Sequence, residues 1–105
     1  MISLLDETLK AISEAGESLE EVEWIGTSDG KMICRVDDFI RMANMEYDNG
    51  YGGAEIEESL VIVFKSGGWL ARREYDGREW WEYLATPQRL VTAKRMTTLK
   101  SWGHE

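Results

Sequence analysis

The chain has 105 residues, enough for one buried core and too few for two. Twenty acidic residues against twelve basic ones leave a net charge of −8, which disfavours direct binding to DNA or to an anionic membrane surface. Cys34 stands alone, no apolar run reaches membrane-spanning length, and Met1-Ile2-Ser3 lacks the basic flank of a signal peptide, so the expected location is the cytoplasm.

Ser3 can cap a first helix, with Leu5, Leu9, Ile12 and Ala15 as its apolar stripe and Gly16 as its stop. Glu17, Glu20, Glu21 and Glu23 then lead into a first hairpin over about Val22 to Arg35, turning at Ser28-Asp29-Gly30. A three-residue loop there pairs Ile25 with Ile33, Trp24 with Cys34 and Glu23 with Arg35. In that hairpin Cys34 reads as a small core residue rather than a reactive thiol. Asp37 can cap a second helix with Phe39, Ile40 and Ala43 on one side. The segment from Tyr47 to Glu58 combines glycines, tyrosines and four acids, and is expected to be mobile, exposed and negative.

Leu60 to Lys65, Trp69 to Tyr75 and Arg78 to Leu84 are three β-rich runs divided by glycine-bearing turns, the signature of an antiparallel meander. A three-residue loop at Tyr75-Asp76-Gly77 sets Glu74 opposite Arg78 and Arg73 opposite Glu79. A two-residue loop sets Glu74 against Glu79, a like-charge pair. The longer loop is therefore expected, with Trp69, Ala71, Trp81 and Tyr83 on the core face and Arg72, Trp80 and Glu82 outside. The elements add up to an α+β domain over residues 1–87. Its five-stranded antiparallel sheet joins a hairpin to a three-stranded meander, and two helices accompany it. Residues 88–105 form a basic C-terminal extension, either a short helix or partly disordered.

Charge divides the chain as well. Residues 1–62 carry fifteen acids and four bases, whereas residues 63–105 carry five acids and eight bases. Catalytic and metal chemistry finds little material. The single histidine, His104, lies beside the C-terminus, zinc ligands are lacking, and Ser59 stands where an EF-hand loop beginning at Asp48 needs a glutamate. The expectation is a protein that is not an enzyme and holds no cofactor or metal.

Trp69-Leu70, Arg73-Glu74-Tyr75-Asp76-Gly77 and Glu79-Trp80-Trp81-Glu82, with Tyr47-Asp48-Asn49-Gly50-Tyr51-Gly52 upstream, resemble a family of small uncharacterised proteins of bacteriophages and prophages. The resemblance covers roughly residues 36 to 87. The charged first helix and the basic tail depart from it. Small acidic phage proteins of this size include anti-CRISPR inhibitors. The resemblance thus implies a module that occupies the basic nucleic-acid groove of a host protein, a Cas effector or its guide-RNA complex, by nucleic-acid mimicry. Glu46, Asp48, Glu55, Glu57 and Glu58 are then the candidate contacts, with Glu55 and Glu57 roughly 7 Å apart on one strand face. Tyr47 and Tyr51 are the aromatic anchors, and Trp80 is a further contact on the outer face. Two alternatives remain open. One is a phage accessory or assembly protein that self-associates, as a homodimer, through the Trp80 face; the other is RNA contact by the tail, Arg89 to Lys100.

Overall fold

The computed structural model describes residues 1–48, 50 and 53–101. Strand β1 (Ile2–Ser3) runs directly into helix α1 (Leu4–Glu14), where the Ser3 hydroxyl accepts the Asp6 amide at 3.2 Å. Gly16, at φ 74°, lets the chain turn off the helix end. The buried side of α1 is Leu4, Thr8 and Ile12, with Leu5 and Ala11 packed beside them, while Leu9 is exposed. The expected stripe is thus rotated. Thr8 is accepted in the core because its hydroxyl donates to the Leu4 carbonyl at 2.7 Å and receives the Trp81 indole N–H at 2.9 Å.

Strands β2 (Val22–Thr27) and β3 (Ile33–Cys34) form the first hairpin. Its register pairs Ile25 with Cys34 and Gly26 with Ile33, one residue from the expected pairing. Asp29 explains the longer turn. Its carboxylate accepts the Thr27 hydroxyl at 2.7 Å and the Lys31 amide at 2.9 Å, which stabilises a four-residue loop. The hairpin is tight at Gly26, where a Cβ would lie 2.1 Å from the Met32 carbonyl oxygen. Helix α2 (Val36–Ala43) follows, burying Phe39 and Ala43, and begins one residue before the expected cap at Asp37. Strand β4 (Glu46–Tyr47) then pairs with β1 in a small second sheet.

Strands β5 (Leu60–Phe64), β6 (Trp69–Tyr75) and β7 (Arg78–Leu84) are the meander, and the main sheet is antiparallel in the order β3-β2-β5-β6-β7. The hairpin-plus-meander α+β architecture is as expected. The β6–β7 register is not: Tyr75 pairs with Arg78, Glu74 with Glu79 and Arg72 with Trp81. Asp76 and Gly77 both take positive φ, 53° and 85°, the requirement of a two-residue type I′ loop. The like charges at Glu74 and Glu79 are separated chemically. Glu74 accepts the Gly77 amide at 2.7 Å, whereas Glu79 is engaged by Arg72.

This shift exchanges the faces of β6. Leu70 and Arg72 point with Trp81 toward the helices, and Trp69 and Ala71 point away with Trp80. Leu4, Ile12, Phe39, Ala43, Tyr47 and Ile56 cover the inner face over Ile25, Ile62, Phe64 and Leu70. The outer face carries one row of Trp24, Val63, Trp69 and Leu84, while the buried helix residues among those described belong to the core on the inner face. Residues 85–101 are exposed throughout and contain neither helix nor strand. No helix among the described residues is long and apolar enough to cross a membrane.

Candidate functional site

The most unusual chemistry lies under the acidic segment. Arg72, on the inner face of β6, is 4% exposed. Its Nη1 donates to Glu7 of α1 at 3.1 Å, and its Nη2 donates to the Tyr47 hydroxyl at 3.0 Å and to Glu79 of β7 at 3.2 Å. Tyr47 in turn donates to the same Glu7 oxygen at 2.6 Å. The guanidinium also sits 4.8 Å from the centre of the Trp81 ring, a cation–π contact at a buried side chain. Its Nε has no hydrogen-bond partner among the described residues, and the guanidinium carbon lies 5.7 Å from the centre of the Tyr47 ring.

One guanidinium between two carboxylates leaves the cluster one negative charge in excess. Backbone donors meet that excess. The Glu55 amide donates to Glu79 at 2.6 Å and the Ile56 amide donates to its other oxygen at 3.3 Å. Glu79 therefore faces two ways, holding Arg72 with one oxygen and the acidic segment with both. Burial works against charge on Arg72, yet its hydrogen bonds with Tyr47 and Glu7 hold its pKa above the ordinary arginine value.

Burial, followed by the hydrogen bond to Glu7, pushes the Tyr47 hydroxyl up to about 12 from 10.0. The native state thus binds this proton more tightly than the unfolded chain, so the associated stability is complete below pH 10 and is lost as pH rises toward 12. Unfolding measured across that range is expected to show a falling alkaline limb that Tyr47→Phe flattens in part. A slope remains because Tyr83, which donates to Glu17, is also raised.

The sequence-predicted contacts fall in different places. Tyr47 is 2% exposed, so it is a core residue rather than a surface anchor. Its hydroxyl is what the buried cluster uses. Tyr51 lies outside the described residues. Glu55, Glu57 and Glu58 are exposed, and the Glu55 carboxylate accepts the Asp48 amide at 2.9 Å. Glu46 is exposed on β4, apart from that contact. Residues 53–59 form no strand, which removes the expected alternation of Glu55 and Glu57 on a strand face, and Ile56 between them is buried. The expectation of a wholly exposed segment is corrected at Tyr47 and Ile56.

Glu57 accepts the Ser59 amide and hydroxyl, and these bonds lower its pKa. The charge of Asp29 opposes that shift, which marks the hairpin tip as a neighbour of the acidic segment. In sequence Asp29 is legible only as a turn residue. Trp80 is 40% exposed on the outer sheet face, whereas the acidic segment packs on the helix side, so the two do not share one surface. Arg72, expected beside Trp80, faces the core instead. No group of three or more potential metal ligands gathers among the described residues. Comparison with protein-family models, with curated proteins and with solved structures returns no match to this chain.

Proposed function

We propose that the chain is a non-catalytic binding module that occupies a basic, nucleic-acid-handling groove on a host protein. The partner class that the sequence resemblance implies is a CRISPR effector or its guide-RNA complex. The observation that supports this reading is the anchoring of Glu55 and Ile56 through their amides to buried Glu79. Carboxylates displayed from a fixed backbone lose less entropy on binding than carboxylates on a free loop. Exposed Glu55, Glu57 and Glu58, with Asp48 and Asp29 beside them, then present closely spaced negative charge to a surface built for phosphates.

The test is displacement of a labelled nucleic acid from purified effectors, at low and at high salt. The wild-type chain is expected to displace it, less well as salt rises. Glu55→Lys, Glu57→Lys and Glu58→Lys together are expected to weaken displacement by about tenfold or more. Absence of displacement from every effector tried, or displacement indifferent to the triple change, sinks the reading.

The outer face favours a second one, in which a phage accessory protein self-associates there. Trp24, Trp69 and Trp80 lie on that face around buried Val61 and Ala71, which take no part in the helix-side core.

A further inference from the structure

Between α2 and the acidic segment runs an apolar groove of about 240 Å³, lined chiefly by Leu4, Phe39, Met42, Met45, Ile56 and Leu60. Its floor belongs to the core, but Met42 and Met45 are 56% and 44% exposed. Methionine suits such a lining because its flexible thioether adapts to an incoming side chain. Glu55 and Glu57 also border the groove, so an apolar floor is joined to an anionic rim. The complementary ligand is a segment that mixes apolar and basic side chains and carries no acid.

This chain carries such a segment. Residues 89–100 read Arg-Leu-Val-Thr-Ala-Lys-Arg-Met-Thr-Thr-Leu-Lys, with four bases and no acid. Leu90, Val91, Met96 and Leu99 are all exposed, and the hydrogen bonds along the segment are local ones such as Ala93 to Leu90 and Lys100 to Thr98. Exposing four large apolar side chains in so short a stretch is unfavourable unless something covers them.

Its own groove is poorly placed to do so. β7 is the sheet edge opposite β3, and it runs from Arg78 toward Leu84, which shares a row with Trp69, Val63 and Trp24. The groove lies at the other end of β5, by Leu60, and near the other edge, by Cys34. The arm thus leaves the body at the diagonally opposite corner, heading away from the groove. A radius of gyration of 17.0 Å, against about 13 Å for a compact domain of this length, reflects an arm that stands off.

We infer that the chain forms an arm-exchanged dimer, in which residues 89–100 of each copy lie in the groove between α2 and the acidic segment of the other. The contact is two-fold and closed, so it stops at two copies. It uses a different surface from the Trp80 face, and because Glu55 and Glu57 border the groove, the arm competes with a basic host partner for the same carboxylates.

Light scattering across the micromolar range tests it. The wild-type chain is expected at twice its 12.1 kDa monomer mass. Leu90→Asp with Leu99→Asp, or Met42→Glu alone, is expected to give the monomer with an unchanged circular dichroism spectrum, since all three positions are exposed. Leu99→Cys supplies a second readout, because Cys34 also lines the groove. Under mild oxidation it is expected to yield a disulfide-linked dimer that Cys34→Ala abolishes. A monomer at every concentration overturns the inference, as does a Cys34 link formed within one chain. So does a dimer that survives the arm changes and dissociates with Trp80→Glu.

Discussion

Arg72→Ala is expected to destabilise the fold by about 3–5 kcal/mol, the cost of leaving a buried ion-pair partner uncompensated. Glu79 is the partner at issue, because its side chain is 2% exposed and water cannot replace the guanidinium there. Glu7, at 18%, is closer to solvent and can recover part of its hydration. The change also opens space against Trp81 and takes from Tyr47 the donor its oxygen accepts. Against a total stability of about 5–15 kcal/mol for a domain of this kind, that is a large fraction. Arg72→Met restores much of the volume but leaves Glu79 charged. Arg72→Met with Glu79→Gln removes both buried charges, and its cost should be smaller than the sum of the two single changes. Equilibrium unfolding in urea measures these variants together with Glu79→Gln alone. A loss below about 1 kcal/mol for Arg72→Ala, the range of exposed ion pairs, contradicts the assigned burial.

Glu79→Ala is expected to cost a similar amount, about 3–5 kcal/mol, and to add a local effect that Arg72→Ala lacks. The amides of Glu55 and Ile56 lose their shared acceptor, and the Ile56 bond is buried where no solvent takes its place. Hydrogen exchange at Ile56 should therefore accelerate by more than the uniform increase seen at Ile62 and Leu70, whose amides belong to the sheet core. On the proposed reading, displacement of nucleic acid should weaken too, although Glu79 is itself buried. Glu79→Gln keeps one acceptor oxygen and should fall between. Exchange at Ile56 that merely follows the global loss removes the anchoring argument.

The strands of the meander were legible because β-branched and aromatic runs alternate with glycine turns. Their register was not. Asp76 tolerates the left-handed region, which permits a loop one residue shorter, and charge pairing across two strands was a poor guide once a third and fourth element supplied partners. Glu74 finds an amide and Glu79 finds Arg72, so the opposed carboxylates never compete for one site. The placement of Arg72 itself depends on Glu7 and Tyr47, which lie 65 and 25 residues away in the chain. No local pattern encodes such a meeting. Thr8 is similar: it reads as polar, and its burial depends on an indole 73 residues later. The two-residue strands β1 and β4 are too short to show any alternation.

For the candidate site, the carboxylates could be read directly, since exposed acids follow from composition. The two anchoring residues, Glu79 and Arg72, could not, because in sequence they are ordinary charged members of two neighbouring strands. Tyr47 was misread for the same reason. Beside glycines and acids it looks exposed, yet β4 carries it into the core through pairing with Ile2 and Ser3.

The convergence of α1, β4, β6 and β7 on one guanidinium also bears on the order of folding. A charge can leave water only when its partners have arrived, and a half-assembled buried network is worse than none. Glu79 is close at hand across the β6–β7 hairpin, but Glu7 and Tyr47 come from 65 and 25 residues away. On that argument the cluster is expected to shut as a latch after the sheet has condensed, holding the finished structure closed rather than speeding its formation.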